Sequence, residues 1–422
     1  MASNICIFED DRCTQFLPLT YFRPVYNLRC GITSLKEKIV RSYPKSNISL
    51  HCRSYLEDYM RLRNPGVHVN EVQGDRCLFI NGRVLADSSL SKIIPIKQKS
   101  DSVFVHDGQV VAASVSMPHL NKVRAKLSSL LTVADFEGLP KIEVDVKMVS
   151  YPWNVVHENG TWLKKDYEVI LSSWKGKKIK GKLHKGVHLV GKDVLVEEGA
   201  SVKPGVVIDT EGGPVIIGKN AKVFPQATII GPAYIGDGSW VKVGAQIYEN
   251  TTIGPVCKVG GEIEESIIHG YSNKQHAGFL GHSYIGSWVN LGADTNNSDL
   301  KNNYGTVKVY VGAEQIDTGL QFVGLTMGDH SKSAINSMFN TGTVVGVCSN
   351  IFGFGFPPKY VPSFSWGAAG ETFTTFSMEK AIGVARRVMA RRKIDMTEVE
   401  ERLFKNIFGQ TSEDRKRRGM PL

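Results

Sequence analysis

An aliphatic residue returns at every sixth position between Val190 and Val259, a rhythm that few folds accommodate. The stations are Val190, Val196, Val202, Ile208, Ile217, Val223, Ile229, Ile235, Val241, Ile247, Ile253 and Val259, with one slip, a three-residue insertion around Glu211-Gly212-Gly213. An amphipathic helix repeats its apolar positions at three and four residues, and a β-sandwich spaces its turn signals irregularly, at about 8 to 12. A hexapeptide period instead predicts a parallel β-helix, in which each step is one short strand and a corner and the station residue points into a narrow prism. Gly191, Ala200, Ala221, Ala227 and Gly254 are small enough for the crowded corners. The rhythm returns as Met327, Ser333, Phe339, Val345 and Ile351. Between the two runs, Glu264 to Gln321 breaks it repeatedly, and interruptions of a repeat are the loops on which such scaffolds place function.

Residues 1–175 read differently. Strands are predicted at Ile5–Phe8, Ile48–His51, Cys77–Ile80 and Val103–Val105, with a helix from Ser34 to Ser42, the alternation of a nucleotide-binding α/β layer. Ser172 to Lys178 reads as the linker into the β-helix, which is assigned to 176–370. In 371–422, the apolar face Ala381, Val384, Ala385, Val388 and Met389 and a capping box at Thr397–Glu400 predict two helices, the second ending near Gly409. They would pack back on the β-helix or on a neighbouring subunit and cover an open end.

Composition narrows the setting. No apolar run approaches the roughly 18 residues of a membrane span, and the N-terminus lacks the basic start of a secretory signal, so a cytoplasmic protein is expected. Seven cysteines without a CxxC pair suit buried, reduced thiols rather than a disulfide framework or a zinc site. The net charge of +10 is spread along the chain, densest at Arg386–Lys393 and Arg415–Arg418. That pattern fits a solvated helix face, a basic tail and small anionic ligands (nucleotides, coenzyme A, sugar phosphates) better than nucleic acid.

Two stretches carry motifs. The first is Ser272-Asn273-Lys274-Gln275-His276, followed by Tyr284-Ile285-Gly286 and Val289-Asn290-Leu291-Gly292-Ala293-Asp294-Thr295. The second is Phe16-Leu17-Pro18-Leu19-Thr20 with Arg23-Pro24 and Leu28-Arg29-Cys30-Gly31. Together they resemble the bifunctional uridylyltransferase and acetyltransferase family that makes UDP-N-acetylglucosamine, and more closely its diverged sugar nucleotidyltransferase relatives. The resemblance implies an N-terminal nucleotidyltransferase-like α/β domain, a left-handed β-helix of the acyltransferase type, a C-terminal helical arm and a homotrimer. It also implies acetyl-CoA as co-substrate and a sugar phosphate, nucleotide or nucleotide-sugar as partner.

Within the first stretch the resemblance makes His276 the general base, Asn290 the residue that orients the acceptor, and Ala293 the residue whose backbone meets the acetyl thioester. The chemistry is coherent, because an ammonium cannot attack a thioester until a neutral imidazole takes its proton, and a backbone donor then stabilises the oxyanion. Lys274 belongs to the same acceptor-binding segment, and Asn303-Tyr304-Gly305 with Lys308 resembles a later acceptor-binding loop. Two positions depart: a Lys and a Tyr that hold the acceptor phosphate in the family are here Glu264 and Phe279. A carboxylate repels phosphate and Phe lacks the phenol donor, so glucosamine-1-phosphate is expected to be a poor acceptor. His269, His276 and His282, spaced seven and six apart, lack the close pair of a β-helix zinc site, and no metal is expected there.

The N-terminal signature is worn. Its Gly-rich loop reads Glu9-Asp10-Asp11-Arg12-Cys13-Thr14, Val25 stands at the phosphate-binding Lys, and the strand Cys77–Ile80 runs into Asn81-Gly82-Arg83 where the family has a metal-binding Asp. Arg12, Arg23 and Arg29 are the candidates to replace the lost phosphate contacts. Mg²⁺, if used, would need Asp87 or the Tyr151–Asn154 segment, because arginine cannot hold it. Three readings stand: acyl transfer beside a nucleotidyltransferase-like domain, nucleotidyl transfer alone on a trimerisation scaffold, and a sugar-nucleotide binding protein without turnover.

Overall fold

The computed structural model describes residues 3–369 and 372–420. The N-terminal domain is built on a seven-stranded sheet with Asn4–Phe8 near its centre, parallel to Asn47–Leu50 on one side and to Arg76–Asn81 on the other. Gln109–Ser116 then runs antiparallel to Arg76–Asn81. The helix expected at 34–42 spans Leu35–Ser42, with Ser34 as its N-cap and Glu37 closing the capping box.

The hexapeptide stations become inward ladders of a parallel β-helix. Val196, Ile217, Ile235, Ile253, Ile268, Ile285, Met327 and Val345 stack in register along one sheet, and Ile208, Ile229, Ile247, Ile263 and Leu280 along a second. These side chains form one continuous buried core, the main apolar contribution to this half of the chain. Val190, expected as the first station, falls off the ladder: Leu189 pairs with Ile208 while Val190 pairs with Asp209 and is only half-buried, and Gly191 is exposed. Ser333, a late station, is buried and its hydroxyl is bonded to Thr295 Oγ1 at 2.8 Å and to Gly292 N at 3.1 Å. The broken region between the runs holds an antiparallel hairpin, Lys308–Val311 with Glu314–Asp317.

The two halves are bolted together. A 22-residue helix, Pro152–Ser173, leaves the N-terminal domain and lies against the β-helix. Its Asn159 accepts from Gly31 N at 2.7 Å and from Thr252 Oγ1 at 3.1 Å, and its Asp166 takes an ion pair from Lys38 and hydrogen bonds from Ile32 N and Thr33 N. Gly31 is required there: its φ is +70°, and a Cβ would sit 2.8 Å from both Asp166 Oδ2 and the Trp162 backbone.

The C-terminal arm, Met378–Ala390, Glu398–Gln410 and Ser412–Arg417, folds back on its own chain. Ala381, Ile382, Leu403 and Phe404 share a core with Ile39 and Met60 of the N-terminal domain and with Val347 and Phe364 of the β-helix. Met420 packs into the end of the prism core. The boundary expected at Gly370 lies outside the described residues.

Candidate functional site

The corner that carries His276 is set by a buried lysine. In the inward ladder Val202, Val223, Val241, Val259, the next position is Lys274, only 2 % exposed. Its ammonium donates to the carbonyls of Gly260 at 2.9 Å, of His276 at 3.3 Å and of Gly278. Burial pulls its pKa down to about 8. Lys274, expected to bind substrate, is therefore spent on shaping the 275–278 turn and has no donor left to offer a ligand.

That turn presents His276 to solvent and stacks on the next corner. Asp294 N donates to Ala277 O at 3.0 Å, Phe279 N to Asn296 Oδ1 at 2.8 Å, and Asn336 N to Ala293 O at 2.8 Å. The contact is tight enough that a Cβ on Gly278 would meet Thr295 O at 2.2 Å. The His276 and Ala293 corners are thus successive steps of one stack, with Phe279 beginning the strand that follows. Asn290 opens elsewhere. Its Oδ1 accepts from Asn273 at 3.4 Å, Asn273 in turn accepts from Arg392 at 2.9 Å, and Asn290 lines a 220 Å³ cavity under the first arm helix to which His276 does not contribute. Tyr304 is 67 % exposed, and Lys308 is exposed on the inserted hairpin, whose Val307 and Val309 pack against Trp153 and Val344.

Glu264 has company that the sequence reading missed. His282 Nδ1 lies 2.9 Å from Asp299 Oδ2, and one ligand atom from each of Glu264, His282 and Asp299 falls within 4.8 Å of the others. Burial, then the charge of Asp299, raises the Glu264 carboxyl above its ordinary range. The available signal was spacing, since 264, 282 and 299 are 18 and 17 residues apart, one coil each. Phe279 crowds the same place, because a Cβ on Gly281 would meet Asp299 Oδ2 at 2.3 Å and the Phe279 ring at 2.5 Å. The remaining histidine of the three, His269, is half-buried, its Nδ1 3.3 Å from Tyr284 Oη.

In the N-terminal domain the three arginines part company. Arg12 is exposed and lines a 280 Å³ cavity with Asp10, Asp11 and Gln109 at the end of the first strand. Arg23 corrects the expectation of a phosphate ligand: it is buried, ion-paired to Asp329 of the β-helix, and donates to Ser287 Oγ at 3.2 Å and Leu19 O at 3.0 Å. Arg29 donates from its backbone to Tyr284 Oη at 2.9 Å and from its guanidinium to Ile32 O, and lines a different cavity from Arg12.

The residues at the worn metal position do not fit Mg²⁺. Arg83 is wholly buried and grips both carboxylate oxygens of Asp10, at 3.0 Å from Nε and 2.6 Å from Nη2, while Asn81 donates to the same carboxylate at 2.8 Å. A guanidinium occupies the place a cation would take. Asp87 offers no substitute: Ser89 and Lys165 hold it, its pKa is lowered to about 2 mainly by those hydrogen bonds working against burial, and it lines a separate cavity. In the Tyr151–Asn154 segment, Asn154 Oδ1 is used on the backbone amides of Ser150 and Tyr151.

Residues 5–174 match the family described as sugar nucleotidyl transferase. A bifunctional sugar-1-phosphate nucleotidylyltransferase/acetyltransferase of Sulfurisphaera tokodaii is 27% identical over 277 residues, which is 63% of this chain and 61% of that protein. The bifunctional protein GlmU of Methanocaldococcus jannaschii is 30% identical over 198 residues, 47% of this chain and 41% of its own length. The chain thus spans between two-fifths and three-fifths of the length of these two relatives. A solved UDP-N-acetylglucosamine acyltransferase of Francisella novicida overlaps 56% of this chain and 92% of its own at 14% identity, with a TM-score of 0.24, too loose a likeness to bear on function. Over these spans the chain is similar to bifunctional nucleotidyltransferase and acetyltransferase proteins.

Proposed function

We propose that this chain is a transferase of nucleotide-sugar metabolism in which the β-helix moves an acetyl group from acetyl-CoA to an amino sugar, with His276 as general base. The N-terminal domain, in this reading, holds a sugar phosphate or nucleotide without metal-dependent nucleotidyl transfer. The observation that carries the first part is the stacked corner: the 275–278 turn, braced by Lys274, seats an exposed imidazole one coil from the Ala293 backbone. His276 would take the proton of the sugar amine as its nitrogen attacks the thioester carbonyl. The Ala293 amide would meet the oxyanion, and collapse of the tetrahedral intermediate would expel the coenzyme A thiolate, which takes up the proton. A strip of outward side chains supports an anionic coenzyme: Lys222 and Lys258 flank Trp240, their ammonium nitrogens 5.2 and 4.4 Å from its ring.

The proposed assembly is a homotrimer, for which light scattering should give three times the 46.5 kDa chain; a monomer at micromolar concentration refutes it. The proposed setting is the cytoplasm, and among the described residues no helix is long and apolar enough to cross a membrane. Against the reading of nucleotidyl transfer alone stands the buried Arg83–Asp10 pair. The test is thiol release from acetyl-CoA with a panel of amino sugars. His276→Ala should lower the rate by about 10²- to 10⁴-fold with the fold intact. No thiol release by the natural protein with any acceptor, or undiminished release by the variant, overturns the proposal.

A further inference from the structure

A cavity of 310 Å³ opens where the N-terminal domain, the β-helix and the arm meet, apart from both the His276 corner and the Arg12 cavity. Its volume suits a small ligand. One wall is aromatic: Tyr271 and Trp288 stack at 4.4 Å, and His330 lies nearly parallel to Trp288, 6.1 Å away at 16°. Arg29, Lys36 and Arg63 of the N-terminal domain also line the cavity. Two of the lining residues carry a buried polar atom without a partner: Nδ1 of His330, a side chain only 6 % exposed, and Nε of Arg29. Buried polar atoms are nearly always bonded in a finished site.

None of the carboxylates that share the lining bonds these three cations, although Glu37 keeps its charge and attracts Arg29 and Lys36. Asp329 holds Arg23, while Glu37 and Glu400 each accept from the backbone and hydroxyl of their helix caps, Ser34 and Thr397. Lys36 reaches only the neutral Asn64, at 2.9 Å, and Arg63 stands over the Tyr59 ring at 5.8 Å with no ion pair among the described residues. Three cations thus share the cavity with an aromatic wall and have no carboxylate bonded to them.

We propose that this junction cavity is a binding site for a phosphorylated sugar. Arg29, Lys36 and Arg63 take the phosphate oxygens through charge-assisted hydrogen bonds. The apolar face of the sugar ring lies on the Tyr271–Trp288 wall. Two sources of this chemistry differ in reach. A sugar monophosphate is held within the one cavity, whereas a nucleotide-sugar extends into the neighbouring 220 Å³ cavity, which shares Tyr271 and Trp288 and adds Arg391 and Arg392, the latter with an unpartnered Nε. Because three parts of the chain build the walls, an occupant binds only the assembled junction and stabilises all three by mass action.

The test is calorimetric titration of the full chain with a hexose-1-phosphate, UDP-N-acetylglucosamine and inorganic phosphate. The hexose-1-phosphate should bind, the double variant Lys36→Met with Arg63→Ala should weaken it by about tenfold or more, and Lys92→Ala, at an exposed lysine outside the lining, should leave it unchanged. Arg63 is exposed, so Arg63→Ala alone keeps the test open if the double variant does not fold. A nucleotide-sugar that binds more tightly than the monophosphate and loses that advantage in Arg391→Ala identifies the longer ligand as the occupant. No saturable binding by either sugar ligand, binding as tight in the double variant as in the natural protein, or inorganic phosphate binding as tightly as the sugar phosphate each overturns the proposal. His276→Ala should not alter any of these titrations, which separates this site from the acyl-transfer reading.

Discussion

Replacing Lys274 by Met tests whether a charge buried in the β-helix prism holds the His276 turn. The folded pKa of Lys274 falls from 10.5 to about 8, chiefly through burial, which is worth about 3 kcal/mol of preference for the uncharged amine. Below pH 8 the lysine is protonated in both the folded and the unfolded chain, and the full cost of the buried charge is present. Between pH 8 and about 10.4 the unfolded chain still holds the proton while the folded chain has lost it, so stability rises with pH across that window. Met lacks the titration and fits the surrounding valines, but it leaves the carbonyls of Gly260, His276 and Gly278 without their donor. Each orphaned carbonyl costs roughly 1–3 kcal/mol, enough to cancel the relief of the buried charge near pH 7. The expected result is therefore a stability difference, natural protein minus Lys274→Met, that grows by about 3 kcal/mol between pH 7.5 and 10.5, read from urea denaturation of both proteins across that range. Thiol release should fall in the variant, because the turn that aims His276 is loosened. A difference that stays flat with pH refutes the buried titrating lysine, and unchanged turnover refutes its positioning role.

Asp329→Asn should leave the buried Arg23 guanidinium without its counter-charge and destabilise the junction by about 3–5 kcal/mol; differential scanning calorimetry should show a lowered melting temperature, and an unchanged one sinks the idea that this pair ties the halves together. Glu264→Lys combined with Phe279→Tyr should raise kcat/KM for glucosamine-1-phosphate by about tenfold, the worth of one charge-assisted hydrogen bond. Efficient use of that acceptor by the natural protein would show instead that Glu264 and Phe279 do not limit it.

The β-helix was legible because its core is periodic. One buried side chain per step along a fixed ladder turns burial into a rhythm in the sequence, which is why Val196 through Val259 and even the late stations Met327, Phe339, Val345 and Ile351 could be placed by counting. Helix starts were legible for a similar reason, since Ser34 with Glu37 and Thr397 with Glu400 are local hydrogen-bond pairs three residues apart. The site was less legible because its partners are not local. Arg23 looked like a free cation beside Pro24, yet its counter-charge, Asp329, lies 306 residues away. Arg83 read as a missing metal ligand, and only the fold shows that it fills the place by gripping Asp10. Lys274 sits in a motif that reads as acceptor-binding, but the strand register turns it inward, where a lysine can exist only if its ammonium is bonded; three backbone carbonyls meet that condition. Three cations with no ion pair among the described residues, Arg29, Lys36 and Arg63, line the cavity where three parts of the chain meet, together with Trp288. In a repeat scaffold the core is written at short range, and the positions that break the period or lie against another domain are those whose chemistry only the folded chain reveals.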